Sequence, residues 1–407
     1  MVARQFDDNT AAKPGHGGRR PGRDLSIDSL RGIAIILMVA GHVIGGDSTE
    51  GMRVADDSGI RMSYLLLADL RIPLFTALSG YMYATRPLHE TGQLRRFVVG
   101  KAKRLLVPLV TVGSVFTVVQ ALAPGTNTES DLSDWWMLFV YGQWHFWFLQ
   151  AIMILLVGMG VLNALGALST RHQTLLVAGA ASLVAIFVEV PFPFNVFSVN
   201  GAIRLAPFFL VGYAVARFWS TGVPARRLLL AGAGVLFCVR AAQIIMNVEL
   251  PPAIDGALGI ALGLAGIATL IAFRDQLQVR FLAHLGYFSF AIYLLHVFGT
   301  APTRILLERI GVDSPASVLV LCLVAGLALP VLFEVSLGRL NWLSWMFLGQ
   351  KPYRGVPAAQ SKGAELHGVA AEGPAPSAAS LRAVGNAKRD IRRPVPAVSV
   401  RRKGDSR

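Results

Sequence analysis

The feature that most constrains this fold is a series of apolar runs, each of membrane-spanning length, that recurs from Ile33 to about Leu337. A helix needs about 20 mostly apolar residues to cross the hydrocarbon core of a bilayer. Charged residues make up only 15% of the chain, well below the roughly one quarter that is usual in soluble domains. The sequence therefore predicts an all-α, polytopic membrane protein.

The number and orientation of the spans follow from the runs and from the charges between them. We predict a bundle of about ten transmembrane helices, at residues 27–46, 63–84, 104–123, 144–164, 174–190, 202–219, 226–246, 253–273, 284–303 and 316–338. Basic residues collect in alternate gaps, for example Arg95, Arg96 and Lys103 in the second gap, whereas the opposite gaps are acidic or neutral. Because basic loops stay on the cytoplasmic side, we predict a multi-pass protein of the inner (plasma) membrane with both termini in the cytoplasm.

The two ends of the chain differ in composition from the spans. Residues 1–25 are rich in Gly, Pro and Arg without the apolar segment of a signal peptide, and residues 346–407 are rich in Ala, Pro, Gly and Ser. We predict that both are disordered basic segments, which leaves residues 26–345 as one membrane domain. The net charge of +14 arises from these tails and the alternate gaps, so no nucleic-acid partner is expected. The two cysteines lie inside apolar runs and indicate neither a disulfide framework nor a metal site.

One predicted span carries two ionisable groups. The first span reads SIDSLRGIAIILMVAGHVIGG, with Arg31 near its start and His42 eleven residues later. Eleven residues are close to three helical turns, so the two side chains differ by only about 20° around the helix and lie about 16 Å apart along its axis. Ionisable groups at membrane depth are costly unless they face a bundle interior or a watery cavity. The pair therefore indicates a lined cavity.

Further polar residues lie at membrane depth in the later spans. Ser79, in the second span, is better explained by close helix packing than as a nucleophile. Lys101 and Arg104, one turn apart before the third span, fit either positive-inside charge or the binding of donor phosphates. The remaining candidates are His145, Arg204, His296 and Glu334. Each alone is equally well explained as a satisfied polar contact, but together with Arg31 and His42 they indicate a shared polar interior.

These residues carry a resemblance to a known family. The segment IDSLRGIAIILMVAGHV resembles the opening helix of the bacterial membrane acyltransferase-3 family, which is marked by an arginine, ten intervening residues and a histidine; here these are Arg31 and His42. The family's Arg-x-x-Arg-like pair corresponds to Lys101-x-x-Arg104, in which lysine lacks the bidentate fork of arginine. Further similar segments follow in the family's order: RIPLFTALSGYMYA, HFWFLQ, RLAPFFLVGY and GYFSFAIYLLH. The resemblance covers about residues 24–345, and we expect a stand-alone member without the SGNH-type hydrolase domain that some members carry.

The resemblance implies a membrane-bound O-acyltransferase that moves an acyl group, most often acetyl, from acyl-CoA to a hydroxyl of a carbohydrate or another envelope acceptor. Arg31 and His42 would be catalytic, with His42 as a general base or a transient acyl carrier. Substrate binding would involve Lys101, Arg104, His145, Arg204, His296, Glu334 and Ser79. No bound cofactor or metal is expected, since acyl-CoA is a donor substrate.

Two other classes of protein compete with this interpretation. A transporter or flippase of a lipid-linked sugar or small metabolite would also explain polar residues along a groove, without any catalysis. A passive membrane scaffold or sensor leaves the alignment of Arg31 and His42 unexplained. Release of the free thiol from acyl-CoA separates an acyltransferase from a transporter. Candidate acceptors are an exopolysaccharide, a lipopolysaccharide unit, a cell-wall glycan and a secreted metabolite, and the acyl group is acetyl or succinyl.

Overall fold

The computed structural model describes residues 24–127, 131–219, 223–336 and 340–349. Within these residues the chain forms helices and loops and no strand, which confirms the all-α prediction. The α-helices are Leu25–Ile44 (α1), Gly59–Leu66 (α2), Ala68–Ala84 (α3), Leu94–Leu122 (α4), Met137–Val140 (α5), Trp147–Ala164 (α6), Arg171–Phe187 (α7), Val199–Phe218 (α8), Val223–Ile245 (α9), Pro252–Ala272 (α10), Arg280–Tyr287 (α11), Ser289–Leu295 (α12), Val297–Arg309 (α13), Pro315–Ser336 (α14) and Asn341–Leu348 (α15). Apart from the start of α1 and the end of α15, the segments predicted to be disordered, 1–25 and 346–407, lie outside the described residues.

Helices occupy all ten segments that the sequence predicts as spans. Eight helical stretches in the described part of the chain are long and apolar enough to cross a membrane. Helices α12 and α13 pass the same test only as a pair, and they are bent by 50° at their junction. The fifth predicted span corresponds to α7, an apolar helix of 17 residues. The protein is thus a polytopic helical membrane protein, and the bend between α12 and α13 is a feature that hydropathy alone does not reveal.

Helix α1 lies inside the bundle and packs against α3, α11, α12 and α14. Asp24 caps its start by accepting hydrogen bonds from the backbone amides of Ser26 and Ile27, as is typical of aspartate before a helix. Most of its side chains are buried. Its polar groups at membrane depth therefore face protein or internal cavities rather than lipid.

Small residues allow a close contact between α3 and α8. A Cβ added to Gly80 of α3 would lie 2.0 Å from the carbonyl oxygen of Phe209, and one added to Gly212 of α8 would lie 1.9 Å from that of Ala77. Larger side chains at these positions would push the two helices apart. The Ser79-Gly80 pair therefore serves close packing, as its sequence predicts.

Successive spans run in opposite directions, so the bundle has two ends. At the end where α1 finishes, the loops after α1 and α4 meet through a hydrogen bond of 3.0 Å from Arg53 Nε to Asn127 Oδ1. The ring of Tyr141 at this end lies 5.0 Å from that of Phe192. We call this end the loop face and the opposite end, where α1 begins, the basic face. That the basic face is cytoplasmic stays a prediction from the charge pattern.

Candidate active site

Three histidines from distant parts of the chain meet toward the loop face. His42 is in the last turn of α1, His145 is in a single 3-10 turn before α6, and His296 is at the bend between α12 and α13. Their ring centroids lie 4.9 Å apart for His42 and His296, 5.0 Å for His145 and His296, and 6.1 Å for His42 and His145. The structure therefore brings together the three candidate histidines of the sequence.

The three rings differ in their access to substrate. His296 is 0% exposed, and its Nδ1 lies 2.9 Å from the carbonyl oxygen of Tyr293 and 3.1 Å from that of Ile292. Since a carbonyl oxygen only accepts hydrogen bonds, this Nδ1 carries a proton. His145 is 5% exposed, and Nε2 of both rings is buried without a hydrogen-bond partner among the described residues. His42, in contrast, is exposed inside the bundle, so it is the histidine that a substrate can reach.

His42 opens into a cavity of about 440 Å³, which also reaches His145. The cavity is bounded by α1, α2, α3, α4, α6, α13, α14, the loop after α1 and the turn before α6. Its polar and charged lining residues include Glu50, Tyr64, Arg71, Gln120, Thr126, Asn127 and Arg304. Cavities of this order hold small ligands. The histidine cavity, as we call it, therefore has room for reacting groups beside His42.

Arg71 of α3 brings a positive charge to the same cavity. Its Nη1 lies only 1.9 Å from the position that a Cβ on Gly41 would occupy, so the guanidinium contacts α1 one residue before His42. Its Cζ lies 3.9 Å from the centre of the Tyr64 ring. Arg71 makes no hydrogen bond or ion pair with the described residues, and its Nε is buried without a partner.

The sequence interpretation did not count Arg71 among the site residues. Asp69 and Arg71 are two residues apart, so a helix directs their side chains to different faces. The structure agrees, since Asp69 lies 2.9 Å from Arg240 of α9 while Arg71 lines the histidine cavity. An arginine at membrane depth whose neighbouring carboxylate faces elsewhere is the signal that could have identified it.

A buried arginine holds the loop that forms the cavity mouth. Arg61 of α2 has a side chain that is 1% exposed, and it donates to the carbonyl oxygens of Gly45, Asp47 and Val54. In the same loop, hydrogen bonds from the Thr49 hydroxyl and amide lower the pKa of the Asp47 carboxyl. The hydrogen bonds from Arg61 to the loop's backbone carbonyl oxygens therefore hold the loop after α1 over the cavity.

Toward the basic face, the interior narrows below His42. The passage there has a volume of about 20 Å³ and is lined by Ile35, Met38, His42, Ile72, Phe75, His145, Trp147, Phe148 and Tyr293. That volume is about what one water molecule needs. The hydroxyl of Tyr293 donates to the backbone carbonyl oxygen of His145, which ties α12 to the turn before α6. The passage is mostly apolar and extends along α1 in the direction of Arg31.

Arg31 itself lies at the basic face and not beside His42. It donates to Ser289 Oγ at 2.8 Å, and its Nη1 lies 3.5 Å from Asp28 Oδ1. The prediction that Arg31 and His42 share one helix face agrees with this placement, because both point toward α12 or its junction with α13. The passage lies between these two residues along α1.

The predicted pair Lys101 and Arg104 lies near Arg31. The Cζ of Arg104 is 5.5 Å from the centre of the Phe290 ring, and Phe290 follows the serine that binds Arg31. Lys101 and the buried Glu334 both interact electrostatically with Arg104. Arg31, Lys101, Arg104 and Glu334 therefore form a basic cluster at the start of α12, separate from the histidine cavity.

Two predicted site residues lie outside both places. Ser79 Oγ donates to the Phe75 carbonyl oxygen of its own helix at 3.0 Å and lines neither the cavity nor the passage. Arg204 of α8 binds Glu189 Oε1 at 2.8 Å. Neither residue therefore stands beside His42 in this structure, because Ser79 is used in helix packing and Arg204 faces a different cleft.

That second cleft is the larger space and adjoins the histidine cavity. It has a volume of about 1200 Å³ and is lined from α3, α7, α8, α9 and α10, with Arg204, Arg240, Asp69 and Asp255 among its charged residues. Ile72 and Trp147 line both spaces, so these two side chains form the wall between them. We call this space the side cleft.

The described residues contain no group of three or more His, Cys, Asp or Glu that is placed to hold a metal ion.

The family model described as an acyltransferase domain, of the acyltransferase-3 type, matches residues 24–335. No curated protein and no solved structure matches the chain. The match covers well over half of the 407 residues and includes Arg31, His42 and the rest of the histidine cluster. The chain belongs to the acyltransferase-3 family and is a membrane acyltransferase.

Proposed function

We propose that this protein transfers an acyl group, in the first place acetyl, from acyl-CoA to a hydroxyl of a carbohydrate or another envelope acceptor, with His42 as general base. The observation that carries the proposal is the exposure of His42 to an internal cavity in a chain of this family. A positioned imidazole is the side chain most often used to take a proton from an attacking hydroxyl near neutral pH.

The donor would bind with its phosphates at the basic cluster. Arg31, Lys101 and Arg104 supply three cations there, and paired cationic donors suit phosphate. About 16 Å of α1 separates Arg31 from His42, a separation that the long flexible arm of coenzyme A would bridge through the apolar passage. Met38, with a flexible unbranched side chain, lines the passage and would move aside as the arm enters.

The reaction then follows from the positions of the groups. The acceptor hydroxyl oxygen attacks the thioester carbonyl carbon while its proton passes to a ring nitrogen of His42. The C–S bond of the tetrahedral intermediate breaks, and the leaving thiolate takes the proton from the His42 imidazolium. The products are the ester and free coenzyme A thiol, and His42 is neutral again.

The acceptor would enter from the loop face. Glu50, Gln120 and Asn127 line the histidine cavity on that side and offer hydrogen-bond partners for hydroxyl groups. The apolar passage favours the acyl arm, and the polar mouth favours a hydroxylated acceptor. Donor and acceptor would thus reach His42 from opposite faces of the membrane.

The test uses the purified protein in detergent, with acetyl-CoA as donor and cell-envelope glycan from cells that lack the protein as acceptor. We expect His42→Ala to reduce release of free thiol by about 10²- to 10⁴-fold, the usual contribution of a general base. Lys101→Ala should instead raise the KM for acetyl-CoA and leave kcat nearly unchanged. The matched control is His172→Ala, at an exposed histidine of α7, which should keep wild-type rates.

Three results would contradict the proposal. Wild-type protein that moves glycan or lipid across vesicles without releasing thiol would be a transporter. A folded His42→Ala variant with normal rates would remove His42 from the reaction. An acetyl adduct on His42, seen in the intact-protein mass after acetyl-CoA alone, would make His42 an acyl carrier.

A further inference from the structure

Arg71 is a charged residue of the histidine cavity that takes no part in the acyl transfer as described so far. It reaches the histidine cavity from α3, with its guanidinium in contact with α1 at Gly41 and over the ring of Tyr64. It has no carboxylate within ion-pair distance among the described residues, in contrast to Arg31, which has one, and Arg240, which has two. A cation at membrane depth is costly unless it is paired or faces a watery cavity. Arg71 meets the second condition, because it lines the histidine cavity, and its charge there is available to an anion that forms during the reaction.

The surroundings of Arg71 hold its charge in a fixed position. The face of the Tyr64 ring, 3.9 Å from Cζ, attracts the cation. Nε is buried without a hydrogen-bond partner in the described part of the chain, so the donors that remain for a ligand are on the terminal nitrogens. Because Nη1 lies against the backbone of residue 41, the fork is held one residue from His42.

Resting on the acyl transfer proposed above, we propose that Arg71 donates hydrogen bonds to the acyl carbonyl oxygen and stabilises its negative charge in the tetrahedral intermediate. When the acceptor oxygen bonds to the carbonyl carbon, the π electrons of the C=O bond move to the carbonyl oxygen. When the C–S bond breaks, they re-form the double bond and the thiolate leaves. The anion that balances Arg71 thus exists only between these two steps, and fixed donors aimed at it are a large source of catalysis.

The position of Arg71 separates this role from phosphate binding. The basic cluster lies at the far end of the apolar passage, about 16 Å from His42 along α1. Arg71 lies on the loop-face side of that passage, in the cavity that holds the base. Phosphates of a donor bound at the basic cluster would not reach it, whereas the thioester beside His42 would.

The first experiment separates turnover from binding in Arg71→Gln and Arg71→Lys. With acetyl-CoA and envelope glycan, we expect Arg71→Gln to lower kcat by about 10²-fold, the usual cost of one oxyanion donor, and to change the KM for acetyl-CoA by less than about threefold. Arg71→Lys keeps the charge but not the bidentate guanidinium group, so its kcat should lie between those of the wild type and Arg71→Gln. Arg171→Gln is the matched control, because Arg171 also stacks on an aromatic ring, 4.6 Å from that of Trp219, but lies at the basic face.

The second experiment displaces the guanidinium without changing Arg71. In Gly41→Ala the new Cβ would lie 1.9 Å from Nη1 of a flexible side chain, which moves away at little cost. Alanine is also the better helix former, so the variant should fold at least as well as the wild type. We expect its kcat to fall at least tenfold, with acetyl-CoA binding retained.

The outcomes distinguish failure of this inference from failure of the proposed function. A wild-type protein that releases no thiol from acetyl-CoA would remove the acyl transfer on which the inference rests. An active wild type with a folded Arg71→Gln variant of equal kcat would overturn only the role of Arg71. A large rise in KM at unchanged kcat would make Arg71 a ground-state donor contact and would overturn it as well.

Discussion

The histidine cavity and the side cleft are both bounded by α3, and each contains an arginine next to this helix: Arg71 in the cavity and Arg240 in the cleft. The two arginines differ in their ion pairs. In the side cleft, Arg240 lies 2.9 Å from Asp69, also pairs with Asp255, and donates to Gln243 Oε1 at 2.7 Å. In the histidine cavity, Arg71 has no such partner among the described residues. Arg240 is therefore balanced within the protein and supports the fold, whereas the charge of Arg71 is available to a group bound in the cavity.

The difference comes from two neighbouring residues of one helix. Asp69 and Arg71 are two positions apart, so they project from different sides of α3. Had they been three or four positions apart, they would have faced each other and paired. The spacing sends the carboxylate to Arg240 and leaves the guanidinium beside His42. One turn of α3 thus supplies both a structural and a functional charge.

The largest effect on stability that this comparison predicts is at Arg240. We expect Arg240→Gln to lower the free energy of unfolding by about 2 kcal/mol, because Asp69 and Asp255 would be left close together without a cation. Loss of one partner of a fully buried pair costs about 3–5 kcal/mol, and these groups are partly exposed. Arg71→Gln, which orphans no carboxylate, should change it by less than about 1 kcal/mol. Thermal unfolding in detergent measures both.

A second substitution checks that the loss at Arg240 is electrostatic. Asp69→Asn in the Arg240→Gln background removes one of the two orphaned charges and should restore part of the lost stability. If the double variant were as unstable as Arg240→Gln alone, packing and not charge would hold the side cleft together. Equal losses in Arg240→Gln and Arg71→Gln would remove the distinction between the two regions.

The next largest effect is at the wall between the two spaces. A Cβ added to Gly201 of α8 would lie 2.7 Å from ring atoms of Trp147, and that ring cannot move aside as an arginine terminus does. We expect Gly201→Ala to cost about 1 kcal/mol, the lower end of the usual cost of overpacking. Gly41→Ala, against the flexible end of Arg71, should cost nothing. Denaturation midpoints of the two alanine variants give the comparison directly. Equal midpoints would mean that the Trp147 ring shifts to accommodate the added Cβ at little cost.

Much of the fold was predictable because lipid constrains it strongly. A chain in a bilayer must satisfy its backbone hydrogen bonds within helices, so apolar runs alone located all ten helical segments. The break between α12 and α13 could not be read in this way, since the residues around His296 are as apolar as in a continuous span. The packing of α3 on α8 was partly predictable, because Ser79-Gly80 marks a close contact but does not name its partner.

The site was predictable in its residue types more than in its grouping. His42, His145 and His296 were identified as polar groups that the membrane does not explain, and they lie together. Arg204 and Ser79 satisfied the same test but lie elsewhere, since a single sequence gives depth and helix face but not which helices are neighbours. Arg71 was overlooked for the same reason, because its lack of a counter-ion is visible only when Asp69 is seen to pair with Arg240.

The smallest predicted effect is at the other ion pair of the side cleft, between Arg204 and Glu189. Its side chains are 65% and 71% exposed, and exposed pairs contribute about 0–1 kcal/mol. Arg204→Gln should therefore lower the free energy of unfolding by less than 1 kcal/mol, and added salt should shrink the difference further. Unfolding at low and high salt, beside Arg240→Gln, measures both pairs under the same conditions. If Arg204→Gln lowered the free energy of unfolding as much as Arg240→Gln does, burial would not explain the difference between the two ion pairs. The Arg204 pair would then be less exposed to water than its accessible area indicates.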